Sequence, residues 1–220
     1  MLQNETLNFI RDLKENNNRE WFAENKNRYQ QARADFEILV AQVIQGLGTI
    51  DPQIKHLDPK KCIFRIYRDV RFSSDKSPYK THFGAVFHQQ GLDKTSGYYL
   101  HVSPGESFVS SGHYMLMPDQ LKKIRKGIYE DFEMFSEILN EKHFKEEFGD
   151  LFKDDDMLKR VPNGFDKDHP AAEYMKLKHF YVVKDIPEKK LHEKELLAYV
   201  LDAYKKMRPM SEFLNDLLLD

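Results

Sequence analysis

Near residue 62 the chain changes its apolar period, and that change decides what it can fold into. Before it, apolar residues recur at helical spacing. Leu7, Phe9, Ile10 and Leu13 mark a short amphipathic helix over residues 4–15, and "ENNN" breaks it. Asn18 is the expected N-cap of a second helix that starts at Arg19. That helix carries Phe22, Tyr29, Phe36, Leu39, Val40, Val43 and Leu47, with Gly46 and Gly48 as its stop. After residue 62 the period becomes twofold. In "CIFRIYRDVRF" the even positions are Cys62, Phe64, Ile66, Arg68 and Val70, and the odd ones are Ile63, Arg65, Tyr67, Asp69 and Arg71. Strands send alternate side chains to opposite faces, so the segment reads as a strand with one mostly apolar and one polar face.

Three further strands are expected in "THFGAVFHQ" (81–89), "GYYLHVSP" (97–104) and "ESFVSSGHYM" (106–115). Their connections, "QGLDKTSG" and "PGE", are short, which favours antiparallel pairing. A helix follows Pro118, with Leu121, Ile124, Ile128, Phe132, Phe135 and Leu139 on one side, and a shorter helical stretch lies near residues 141–152. "AAEYMKLKHF" reads as a short helix and "FYVVKDI" as an edge strand. The last helix starts near Leu191, with Pro209 expected to break or kink it. The expected fold is α+β: an antiparallel sheet of four to five strands, with N-terminal, middle and C-terminal helices packed mainly on one face. No repeat, low-complexity tract or linker divides the chain, so residues 1–220 read as a single domain.

Composition narrows the partners. The formal net charge of the 220 residues is −2, so there is no global basic field for nucleic acid or an anionic membrane, and neither is an expected partner. Cys62 is the only cysteine, which excludes an internal disulfide and points to a reducing, cytoplasmic setting. The start lacks the pattern of a signal peptide, and no apolar run approaches the roughly 20 residues of a membrane helix. No cofactor is expected, because the glycines form neither a dinucleotide nor a P-loop motif. No metal site is expected either: H-x-x-x-H, H-E-x-x-H and C-x-x-C spacings do not occur.

The chemistry-bearing candidate is "RIYRDVRFSSDKSPYK", residues 65–80, with three arginines, two lysines and two aspartates. On strand alternation Arg65, Asp69 and Arg71 share a face, while Arg68 points to the apolar side and needs a carboxylate partner from elsewhere. The loop after this segment holds Ser73, Ser74, Asp75 and Pro78, which can present backbone N–H groups beside Lys76 and Lys80. Arginine's planar fork suits phosphate or carboxylate. The first expectation is therefore a small anionic ligand contacted by Arg65, Arg71, Lys76 and Lys80, with Tyr67 and Tyr79 lining the site. Asp69 would hold Arg71, and Asp69, His82 and His101 are the candidates for proton chemistry, with His82 or His101 titrating near neutral pH if chemistry occurs. Two other readings stand beside it: a non-enzymatic module in which the charged face meets an acidic protein partner, and a structural salt-bridge network. Cys62 reads as inert core. Trp21 reads as a helix-docking residue or as a wall of a pocket beside the arginines. The residues leave open whether the protein is an enzyme.

Four strings carry a resemblance: "NNNREWFAENKNRY", "FRIYRDVRFSSDKSPYKTHFG", "YYLHVSP" and "GFDKDHPAAEYMKLKHF". Together they resemble the family known as domain of unknown function 2461, from about residue 4 to the C-terminal helix. The resemblance implies a soluble, single-domain protein and brings no activity and no catalytic residues with it. It also implies that residues 17–22, 64–84, 99–104 and 164–180 are family-typical.

Overall fold

The computed structural model describes residues 1–88 and 96–219. Helix α1 spans Asn4–Glu15, α2 Arg19–Glu24 and α3 Lys26–Ile50. A 3-10 turn over Pro52–Ile54 leads to α4, Pro59–Cys62. Strands β1 (Phe83–Phe87), β2 (Ser96–Val102) and β3 (Ser107–His113) come next. Helices α5 (Pro118–Glu130), α6 (Phe132–Asn140), α7 (Lys142–Phe148) and α8 (Ala172–Met175) precede β4 (Phe180–Ile186). Helices α9 (Glu188–Leu191) and α10 (Leu196–Leu219) end the chain. The strands form one antiparallel sheet in the order β1-β2-β3-β4, and the fold is α+β as expected. Much of "QGLDKTSG", the connection before β2, lies outside the described residues. Among the described residues no helix is long and apolar enough to cross a membrane.

Most elements lie where the apolar periods place them. Asn18 caps α2 as expected, its side chain accepting from the Trp21 N–H. The second expected helix is in fact two. Asn25 ends α2 and donates its side-chain amide to the Trp21 carbonyl at 2.9 Å. α3 then continues past both glycines to Ile50. Leu201 lies against Gly46, where a Cβ would meet its terminal methyl groups. Likewise α10 runs unbroken through Pro209. The proline removes the donor that would have met the carbonyl of Lys205.

The larger difference is at "CIFRIYRDVRF", which is not a regular strand. Cys62 closes α4, and the chain continues as an extended ribbon held by two isolated antiparallel bridges, Ile63 to Ala85 and Tyr67 to Tyr79. Between those bridges one side advances four residues and the other six. Such a slip interrupts the ladder as a bulge does and re-aims the side chains. Backbone bonds around it include Phe64 N–H to the Gly84 carbonyl (2.9 Å), Lys80 N–H to Ile66 (2.8 Å) and Arg68 N–H to Pro78 (2.9 Å). Strict alternation therefore does not assign faces to Arg65, Asp69 and Arg71.

The chain contacts cluster into two compact units. The first comprises 1–87, 99–109 and 185–202. Its core is aromatic: Phe9 meets Trp21, Phe22 and Tyr29, and Phe36 of α3 stacks on Phe83 of β1 at 5.4 Å. The second comprises 88–98, 110–184 and 203–220. There Phe135 packs against Tyr174 and Phe213, and the "GFDKDHP" segment docks through Phe165 and His169 on Tyr129. Buried polar groups are paired between β3 and the end of α10: Ser111 Oγ lies 2.7 Å from Ser211 Oγ, and His113 Nε2 lies 2.9 Å from Asn215 Oδ1.

Gly112 has φ +132°, a conformation that costs any side chain. A Cβ there would also lie 2.2 Å from the Phe180 carbonyl oxygen, a backbone atom that cannot swing aside. Gly112→Ala is expected to destabilise the protein by more than about 2 kcal/mol in urea unfolding. A loss below about 0.5 kcal/mol would contradict this close approach of β3 and β4.

Candidate functional site

The ribbon that carries the charged string is positioned by a side chain from the turn before α2. Asn17 donates its amide to the Tyr79 carbonyl (2.9 Å) and accepts from the Tyr79 N–H (3.1 Å). It thus satisfies both backbone polar groups of one residue as a neighbouring strand would. Phe22 then stacks on the buried Tyr79 ring at 3.9 Å, with Tyr67 tilted against both. Three of the four family-typical strings, 17–22, 64–84 and 99–104, fall in this one unit.

Held there, the charges divide into two groups. Beyond Tyr67 the loop neutralises itself. Arg71 donates through Nε (2.9 Å) and a terminal nitrogen (2.6 Å) to the two oxygens of Asp69, the pairing expected from sequence. That side-chain pairing, with the Arg71 backbone N–H adding to it, holds the Asp69 carboxyl below its usual range. Arg68 is half-buried and finds its carboxylate within the loop itself, in Asp75. Asp75 also accepts from the Ser77 hydroxyl (2.6 Å) and N–H (2.9 Å). These Ser77 bonds, joined by Arg68, hold its carboxyl far below the usual carboxylate range. Lys76 caps the Val70 carbonyl at 3.0 Å. The Arg71 side chain is 76% exposed, so water screens its pair with Asp69 and the pair adds little to stability.

The other group lies back along the ribbon, around the faces of β1 and β2 that alternate with the Phe83 core face. Lys80 Nζ sits 4.9 Å from the centre of the Phe64 ring. Burial lowers the Lys80 pKa, and Arg65 adds to the effect, which places the two cations within each other's field. Among the described residues neither forms an ion pair with a carboxylate, and Arg65 also lies within the field of Asp69, whose carboxyl it helps to lower. Phe64 leans on Tyr99 at 6.0 Å, and Tyr99 Oη lies 3.0 Å from His101 Nδ1. Gly84 makes room for this contact: a Cβ there would fall 2.7 Å from the Tyr99 hydroxyl and 3.1 Å from Phe64. The His101 ring is sandwiched, with Phe108 nearly parallel at 4.7 Å and His82 at 4.3 Å. Burial drives the His101 pKa down to about 3, with His82 adding to it, and that of His82 to about 4, with Lys80 adding to it. Tyr99 is pushed up to about 12 by burial. Burial thus favours the neutral form of all three in the free protein.

Cationic, aromatic and imidazole groups therefore meet on one half-buried surface that holds Arg65, Lys80, His82, Tyr99 and His101. Asp69, Arg71 and Lys76 lie in the self-paired loop, and Tyr79 faces the core. Tyr67 is 55% exposed. Trp21 stacks on Phe9 beneath Arg28, so it docks helices and does not wall this surface. Cys62 is buried, and burial, with Asp58, pushes its thiol up to about 11, which makes it inert. Alternation in "GYYLHVSP" already set Tyr99 and His101 on one strand face, two residues apart; the roles of Phe64, Tyr99 and Phe108 had no signal beyond that.

Residues 5–213 match the family described as conserved hypothetical protein, DUF2461. The chain belongs to the DUF2461 family. No curated protein and no solved structure matches it. The chemistry open to this DUF2461 chain is therefore set by its own geometry.

Asn17→Ala leaves the Tyr79 N–H and carbonyl without their partner, and is expected to cost about 1–3 kcal/mol in denaturant unfolding; an unchanged midpoint would show that the ribbon holds itself. A pH dependence is expected as well. His82, His101 and His113 (about 4, lowered by burial) all have folded pKa values below the ordinary 6.5. The unfolded chain then binds protons that the folded one refuses, so stability is full above about pH 6.5 and falls as pH drops towards 4. In a chloride buffer each ring is expected to cost on the order of 1 kcal/mol between about pH 7 and 5. His113→Gln, which keeps a hydrogen-bonding group near Asn215, should make that slope shallower.

Proposed function

We propose that this DUF2461 protein binds a small anionic ligand, phosphate- or carboxylate-bearing, on the surface around Lys80 and Arg65. The observation that carries the reading is a pair of adjacent cations without ion-pair partners among the described residues, one of them half-buried over an aromatic ring. Holding like charges together costs free energy that an anion would recover. Arg65 supplies a planar fork for two acceptor oxygens and Lys80 a point charge. Phe64 and Phe108 wall the site and lower the local dielectric, which strengthens both contacts. Arg71 and Lys76 are already engaged in the loop, so they are the less available cations. The run from Arg68 to Ser77 is better read as structural support, because Arg68–Asp75, Arg71–Asp69 and Lys76–Val70 pair internally. We read the compartment as the reducing cytoplasm, from the single, buried Cys62.

The test is a thermal-shift and calorimetry panel of sulfate, pyrophosphate, sugar phosphates and carboxylates. Wild type is expected to be stabilised by at least one of these anions, with the effect weakening as salt rises. Lys80→Ala and Arg65→Ala should each weaken binding by about tenfold, a change of ~1.4 kcal/mol. Arg71→Ala should leave it within about twofold. If Arg71→Ala abolishes binding and Lys80→Ala does not, the site lies on the loop and this placement is wrong.

A further inference from the structure

The same surface carries a second device, which rests on the anion-site reading. We infer that anion binding there is coupled to proton uptake by the His82–His101 pair, so that the site takes its ligand more tightly as pH falls. The geometry sets this up. The two rings are 4.3 Å apart, and His101 has both faces covered, by Phe108 and by His82. Its Nδ1 meets the Tyr99 hydroxyl at 3.0 Å, which leaves Nε2 at the ring edge as the position a ligand can meet. Neither that nitrogen nor those of His82 has a hydrogen-bond partner among the described residues. The charged and titratable groups facing the pair are Lys80 from the ribbon, which acts on His82, and Tyr99 from β2, with Arg65 beyond Lys80; no carboxylate acts on either ring.

Without an anion, a proton on either ring would join the fixed charge of Lys80 in a partly desolvated place, which favours neutral rings. Their low pKa values agree with that. An anion on Lys80 and Arg65 reverses the sign of the local field. It also offers an acceptor oxygen to an imidazolium N–H, a charge-assisted bond that favours the protonated ring. One proton then moves from solvent to an imidazole as one anion enters. The new imidazolium N–H replaces the bond that held the proton in the buffer acid, and no other covalent bond changes. The second ring stays neutral, because two imidazolium rings at this spacing repel.

Sulfate is the probe, because it does not itself titrate near neutrality. Its binding is measured by calorimetry at about pH 6 in two buffers of different ionisation enthalpy, and again across about pH 5 to 7. The expected result is uptake of about one proton per sulfate, with affinity rising up to about tenfold per unit fall in pH. His101→Gln keeps a hydrogen-bonding side chain and removes the titrating ring. It should bind sulfate more weakly, with less uptake and a shallower pH slope, and the double variant with His82→Gln should show none. Sulfate binding that depends on Lys80 and Arg65 but takes up no proton overturns the coupling and leaves the anion site standing. Uptake that persists undiminished in the double variant overturns it too. If sulfate does not bind at any of these pH values, the anion-site reading fails, and the coupling with it.

Discussion

A single side-chain amide holds this site together. Asn17 pairs with both backbone polar groups of Tyr79, doing for an irregular ribbon what a neighbouring strand does for a regular one. The ribbon needs such a partner because its own pairing is sparse: two bridges out of register with each other. Phe22, one turn further along, closes over the Tyr79 ring and links it to Phe9 and Tyr29 in the core. The helical N-terminal segment and the charged string are therefore one structural element. Lys80 and His82 are placed by their chain proximity to the residue so clamped.

The slip in the ribbon also explains why so dense a run of charges separates into parts with different fates. Past Tyr67 the chain leaves the sheet and turns on itself, which brings acid and base of the same loop together: Asp69 to Arg71, Asp75 to Arg68 and Ser77. Most of these side chains are well exposed and their pairs add little stability. They shape the loop. Before Tyr67 the chain stays against β1, and Arg65 comes within the field of a half-buried Lys80 as well as that of Asp69. Neither cation forms an ion pair among the described residues, and Lys80 is the one from which water is partly excluded. His82 and His101 respond to the same surroundings by staying neutral.

Much of the scaffold was legible in advance. The 3.6-residue period of Leu7, Phe9, Ile10 and Leu13, the Asn18 cap and the twofold period of "FGAVF" and "YYLHV" are local signals, and helices and strands formed there. Asp69 with Arg71 was legible for the same reason, since two residues of extended chain bring them within reach. Two expectations failed. α3 runs on through Gly46 and Gly48 to Ile50, and residues 62–71 do not form a strand because their partner has two residues too many.

By itself, then, the sequence determined the α+β class, the course of most helices, all four strands of the sheet, and that residues 65–80 would carry the unusual charge. These depend on periodicity and on neighbours a few residues away. The tertiary structure alone decided which of those charges are spent on one another and which are not, and that His82, Tyr99, His101 and Phe108 share a surface with Lys80. Ion pairing and desolvation fall off within a few ångströms, so they depend on through-space distances that alternation cannot supply once a register slips.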